Sequence, residues 1–131
     1  MDEKLEAYIK EHQSIDEKSK TFIQYLYFLM DKYKIDNPAD IYRKAFISRQ
    51  LWSSIISNKS VPSLNVCVKI ALSMHLNNHE CKYLLKKAGY TLASSNRFAL
   101  IIRYCIENNI YDIVYVNKML IENGCEDFKL I

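Results

Sequence analysis

Apolar residues recur three and four positions apart in nearly every stretch of this chain, the period of an α-helix rather than a strand. Phe22, Tyr25, Leu26, Leu29 and Tyr33 form one such stripe, Ile41 and Ala45 a shorter one, and Leu51, Trp52, Ile55 and Ile56 a third. Val66, Cys67, Ile70, Ala71 and Met74 mark the inward side of another helix, and Phe98, Ile101, Ile102, Cys105 and Ile106 that of a later one. Tyr27 and Phe28 lie off their helix's main stripe, towards the C-terminal helices or a partner.

The polar residues between the stripes supply starts and stops. Residues 2–13 read as a short charged helix with Leu5, Tyr8 and Ile9 on one side. Ser14-Ile15-Asp16-Glu17 is a capping-box pattern that opens a helix to about Tyr33. Asn37 caps and Pro38 opens a helix to about Ala45, since the first turn makes no use of the N–H that proline lacks. Ser48 caps a helix to about Asn58, and Leu64 begins one to about His75. Asn77-Asn78-His79-Glu80 is a second capping box; its helix carries Lys86 and Lys87 in the last turn, where the dipole favours cations, and ends at Gly89. Ser95 or Asn96 opens a helix to Asn108, and Asp112 caps a last one over 113–123 that Gly124 terminates. Residues 125–131 carry no clear pattern, and no repeat, low-complexity tract or linker interrupts the series. The prediction is an all-α chain of about six to eight helices.

The helices 38–45 and 48–58 are set unusually close. The second buries one stripe and turns Arg49, Gln50, Ser53, Ser54 and Ser57 the other way. Short outward side chains let a helix backbone approach a groove, and Arg and Gln can hydrogen-bond base edges, so this is how a recognition helix is built.

The residues here resemble the helix-turn-helix of the Xre/Cro, phage-repressor-like family. Ile47-Ser48-Arg49-Gln50-Leu51-Trp52-Ser53-Ser54-Ile55 is similar to its V-S-x-x-x-I-S-x-I recognition helix. Lys59 with Pro62-Ser63-Leu64 resembles the loop that follows, and Lys69-Ile70-Ala71 with Leu76 the next helix, K-I-A-x-x-L. Ala88-Gly89-Tyr90-Thr91-Leu92, Tyr104-Cys105-Ile106-Glu107-Asn108 and Tyr111-Asp112-Ile113 resemble a bacterial subgroup with extra C-terminal helices. The likeness covers roughly residues 22 to 123. It implies a repressor-like five-helix helix-turn-helix domain with an N-terminal extension: one domain over 1–131, with its core at 14–89 and a C-terminal helical extension at 90–131. It implies binding of double-stranded DNA and transcription regulation. Arg49, Gln50 and Ser54 are expected at the bases with Ser53 and Ser57 beside them, and Lys44, Lys59 and Arg43 at phosphates. The chain also departs from the family pattern. Phe46 stands where the turn often has Gly, Pro38 where the first helix often opens with Gln, and Ile56 where an acid is common; Arg49 is the recognition helix's one cation. The single cation, Pro38, Ile56 and the acidic flanks of the chain support an alternative, a protein-interaction or antitoxin-like adaptor on the same scaffold with weak or lost DNA binding.

Charge sharpens the picture. The net +3 conceals a division: residues 1–31 carry four Lys against seven acids, residues 32–97 eleven Lys and Arg against three, and residues 98–131 three against five. The basic surplus lies where the paired helices lie, as a phosphate footprint requires; the plainer reading is a solvated Lys-rich surface. A length of 131 residues suits one domain with a real core, and two Gly and two Pro suit a helical one. No apolar run approaches the roughly 20 residues of a membrane span, and MDEKLEAYIK is acidic and polar, unlike a signal peptide. With no CxxC spacing, Cys67, Cys81, Cys105 and Cys125 read as free thiols of a cytoplasmic protein, Cys67 and Cys105 as small core residues.

Other chemistry finds little purchase. His75, His79 and Cys81 suggest zinc, but the cap at Asn77 breaks the helix between the two histidines, and no fourth ligand is apparent. No Gly-rich phosphate loop, GxSxG or HExxH is present, so the chain is read as no enzyme and as needing no cofactor. Phe98, Ile101, Ile102, Tyr111, Val114 and Tyr115 make the C-terminal helices rich in apolar groups, which predicts packing onto the rest and a homodimer or protein-partner surface there.

Overall fold

The computed structural model describes residues 2–8, 21–92 and 96–130. Among them the chain is all helical, with no strand. The helices are α1 (residues 3–8), α2 (Phe22–Lys32), α3 (Ala39–Tyr42), α4 (Arg49–Ile56), α5 (Leu64–Ser73), α6 (Asn78–Lys87), α7 (Arg97–Glu107) and α8 (Ile113–Glu122).

The centre is α5. From Cys67 to Ser73 every residue is buried, so the helix has no solvent face, as an interior helix must. Its sides are covered by α3, α6 and α8; α2 packs on α6, α7 on both α6 and α8, and α4 on α3. The pattern of Val66, Cys67, Ile70, Ala71 and Met74 therefore captured one side only. Val68 and Leu72 are fully buried as well, while Val66 is half-buried.

Side-chain caps set the starts. Ser48, Ser63, Asn77, Asn96 and Asp112 each accept an N–H from the first turn of the helix they precede, and Asn77 and Glu80 form the expected reciprocal box. The start of α2 differs from expectation. Thr21, extended at ψ 169°, caps it in a box with Gln24, so no unbroken helix runs from Ser14 to Tyr33. The Ser14–Glu17 box itself lies outside the described residues. Met30 replaces Tyr33 on the buried side of α2; Phe28 stacks on Tyr25, with centroids 5.9 Å apart, and Tyr27 is exposed. At α3, Asn37 accepts the Ala39 N–H at 3.0 Å, and helical bonding continues to Ala45, whose N–H donates to the Ile41 carbonyl.

The stops share one geometry. Every helix from α2 to α8 closes with a residue at positive φ whose N–H, with that of the next residue, folds back onto the last-turn carbonyls. Gly89 and Gly124 take this place after α6 and α8, but after α2, α3, α4, α5 and α7 it is held by Lys34, Phe46, Asn58, His75 and Asn109. A side chain in this region costs roughly 1–2 kcal/mol. At four of these five stops the following residue is carried inward, which offsets the cost: Ile47 and Leu76 are buried, and Ile35 and Ile110 pack on the core, whereas Asn58 is followed by exposed Lys59.

One buried carboxylate ties α2 to α6. Glu80 accepts from Lys32 Nζ at 2.7 Å, from the Tyr33 hydroxyl at 2.5 Å and from the Asn77 N–H at 3.2 Å. Burial pulls its pKa up, but these donors and the nearby Lys32 charge outweigh burial and hold it below the ordinary 4.5.

The C-terminal helices share the same core. Ile102 is buried, and Phe98, Ile101 and Tyr111 pack against it, so these four are no surplus for another surface; Val114 and Tyr115 remain exposed, with Leu100, Tyr104 and Ile121. The patternless tail also has a role. Phe128 is buried edge-on to Phe98, and its N–H donates to buried Asn117 at 2.7 Å.

Replacing Lys34, exposed at φ +54°, by glycine relieves backbone strain without removing a core contact. Lys34→Gly should stabilise the fold by about 0.5–1 kcal/mol in urea melts. Glu80→Gln should cost about 1.5–3 kcal/mol at neutral pH, as lost hydrogen bonds to a charged group do. Because the folded Glu80 pKa is depressed, its stabilisation is complete above the ordinary 4.5 and fades as pH falls through the lower folded value. The gap between parent and variant should therefore close in acid, and a gap constant from pH 7 to 3 would contradict this account.

Candidate functional site

Between α3 and α4 the chain reverses within a few residues. Ala45 and Ile47 are buried on either side of Phe46, which takes the turn at φ +56° with its ring half exposed. Glycine is usual in such a turn, and here phenylalanine adopts the conformation glycine would. Ser48 then caps α4, its Oγ accepting the Leu51 N–H at 3.0 Å.

α4 has two unlike sides. Trp52 and Ile55 are buried, with Leu51 and Ile56 half-buried beside them, and the Trp52 ring lies 6.0 Å from that of Tyr42. Arg49, Gln50, Ser53 and Ser57 are exposed and Ser54 is half-buried. At 100° per residue these five fall within an arc of about 140°. The structure thus brings the whole polar set onto one face, though not equally. Ser54 is partly covered, and its carbonyl accepts the N–H groups of Lys59 and Ser60. The Ser57 hydroxyl donates to the Ser53 carbonyl at 2.7 Å, leaving only its lone pairs to act outwards. Arg49 and Gln50 are the long side chains of the set and make no hydrogen bond to the described residues.

Cations flank both ends of α4. Arg43 and Lys44 lie just before the turn and Lys59 just after Asn58, all exposed. Neither they nor Arg49 join an ion pair among the described residues, where such pairs are Lys32–Glu80 and Lys118–Glu122. Asp40, exposed in the first turn of α3, is the acid closest to them in sequence. The arrangement offers a shallow polar ridge with positive charge at each end.

The other candidate groups separate. His75 stacks on Tyr111 with ring centroids 4.4 Å apart, while His79 meets Tyr83 edge-on beyond the Asn77 cap. Burial raises the Cys67 and Cys81 thiols to about 12, Cys67 also through the nearby Cys81, and raises Cys105 as well. These thiols are core groups, too protonated to act as nucleophiles near neutral pH.

Two clefts were not read from the sequence. One, of about 710 Å³, joins the α3–α4 turn at Lys44 and Phe46 to the α7–α8 loop and the start of α8 at Tyr111 and Tyr115. The other, of about 470 Å³, lies at α6 and α7 and is lined by Lys82, Lys86 and Arg103. The i, i+4 spacing of Lys82 and Lys86 was a visible signal; Arg103 joins them only through the packing of α6 on α7.

No family model, curated protein or solved structure matches the chain.

Trp52 anchors α4 from beneath and does not reach its outward face. Trp52→Ala should cost about 3–5 kcal/mol, as large aromatic truncations in cores do, read as a shift in the urea midpoint. A variant as stable as the parent would move Trp52 from support to contact.

Proposed function

We propose that this chain is a cytoplasmic DNA-binding transcription regulator that inserts α4 into the major groove of double-stranded DNA. In this reading α2 to α6 form the repressor-like helix-turn-helix domain of the Xre/Cro type, and α7 and α8 are its C-terminal extension. The observation that carries it is the outward face of α4: Arg49, Gln50, Ser53 and Ser57 exposed on one side, with an anchored apolar side behind. Arg49 and Gln50, the two long side chains, read base edges, while the small Ser53 and Ser57 let the helix backbone sit close. Arg43, Lys44 and Lys59 hold the two phosphate strands on either side, and Ser54 has a lesser, positioning part. Phe46 does not weigh against the reading, since it takes the left-handed φ that glycine commonly has in such a turn.

One recognition helix reads few base pairs, so two copies would bind half-sites about 34 Å apart, one helical turn. The exposed apolar groups of the C-terminal helices, Leu100, Tyr104, Val114, Tyr115 and Ile121, are the surface for that pairing. A second reading, a protein-interaction or antitoxin-like module, is favoured by one observation: Arg49 is the sole cation on α4 itself.

Mobility shifts on the DNA upstream of the chain's own coding sequence, at two salt concentrations, test the proposal. Affinity should fall steeply with salt as counterions are displaced. Arg49→Ala should cost about 1–3 kcal/mol and relax sequence preference, whereas Lys59→Ala should weaken all sequences alike. A folded protein that binds no DNA even at low salt leaves the interaction module as the better reading.

A further inference from the structure

The basic surplus of residues 32–97 does not all face one way. Arg43, Lys44, Arg49 and Lys59 surround α4, and Lys32 and Lys69 are engaged with Glu80 and the core. Lys82 and Lys86, on α6, instead line a cleft to which no residue of α3 or α4 contributes. There they are joined by Arg103 of α7, with Asn78, Thr91 and Leu92 completing the wall. Among the described residues no carboxylate lines this cleft, and none of the three cations pairs with one. Glu107 accepts from the Asn78 side chain at 3.3 Å but is not part of the wall.

Folding alone gives no reason for this set. Like charges at i, i+4 repel across one turn, and packing α7 on α6 adds a third positive charge to the same space. The helix dipole accounts for Lys86 in the last turn of α6, but not for Lys82 in mid-helix or for Arg103. The three cations are exposed and Glu107 stands one turn from Arg103 outside the wall, so the repulsion is small; what the packing creates is positive charge from two helices, without an ion pair, gathered at one cleft. The cleft is also the right size, at about 470 Å³ within the range of roughly 300–1,000 Å³ typical of small-molecule sites.

We propose that the α6–α7 cleft binds a small anionic molecule carrying two or more phosphate charges. Arg103 supplies the planar fork that matches a phosphate bidentately, and Lys82 and Lys86 act as point charges for the remaining negative oxygens. Asn78 and Thr91 offer hydrogen bonds to the polar remainder. Leu92 and the lysine methylene stems give an apolar wall for a carbon skeleton or base. The site is independent of DNA binding: it stands or falls with α6 and α7, whatever α4 does.

The test is isothermal titration of the full chain with inorganic pyrophosphate and with adenosine diphosphate, alongside thermal melts. Saturable binding of either is expected, with a matching rise in melting temperature. Arg103→Gln and Lys82→Gln should each weaken it by roughly tenfold or more. Arg49→Ala with Lys59→Ala, and Lys118→Gln on α8, should leave it unchanged; circular dichroism confirms that each variant is folded. Absence of saturation of either probe by roughly 10 mM would overturn the proposal. So would equal affinity in the α6–α7 variants, or loss in the Arg49/Lys59 variant, which would assign the anion to the α4 face. If the α6–α7 variants weaken binding of all DNA sequences alike while neither probe binds, the cleft is a DNA-backbone contact and the small-molecule site is refuted.

Discussion

A helix with no solvent face governs the rest of this structure. Because α5 is buried on all sides from Cys67 to Ser73, every flank needs a cover, and no single neighbour can give it. The helices before it cover part, α6 another, and α8 the remainder, so the C-terminal segment completes the core rather than decorating it. Even the tail takes part, through Phe128 and its bond to Asn117. The same enclosure traps polar groups that must be accommodated. The Ser73 hydroxyl donates to the Ile70 carbonyl at 2.7 Å, and Lys69, only 5% exposed, has its pKa lowered by burial while the Asp127 charge near it opposes the shift. Tyr111 and Tyr90 reach across as well, their hydroxyls donating to the carbonyls of Leu76 and Pro62.

Short helices around such a centre need sharp, reproducible ends. A side-chain cap at the start and a left-handed residue at the stop meet this need almost everywhere, and together they satisfy the terminal backbone groups that a helix leaves open. Five of the seven stops accept conformational strain at a residue with a side chain. At four of them, all but Asn58 before exposed Lys59, the next residue is an Ile or Leu delivered inward, and burying such a side chain is worth roughly 1.5–3 kcal/mol. The turn before α4 belongs to this set, so the candidate interface is shaped by the rule that shapes the whole chain.

The polar face of α4 was legible because it depends on helical period and one cap, both local. Arg49, Gln50, Ser53 and Ser57 therefore fall where the spacing put them. The lesser standing of Ser54 was not legible, since it follows from how far the apolar stripe sinks and from where the Lys59 and Ser60 N–H groups turn back. Nor was Phe46 an obstacle to the turn, although a left-handed backbone there favours glycine. The division of positive charge between the α4 face and the α6–α7 cleft was invisible too, because charge summed along a chain carries no direction.

By itself, then, the sequence determined the helical class, most helix starts, the two glycine stops and the amphipathic sides of α4 and α7. All of these rest on interactions between residues a few positions apart. Only the tertiary structure decided which helix is enclosed, that Glu80 joins α2 to α6, that the tail inserts Phe128, and that Arg103 meets Lys82 and Lys86. The physical reason is that burial on every side, and the meeting of charges from separate helices, are properties of packing. Seven consecutive buried positions, Lys69 and Ser73 among them, go beyond the one stripe that the spacing shows, and the residues that surround them come from points up to about half the chain away.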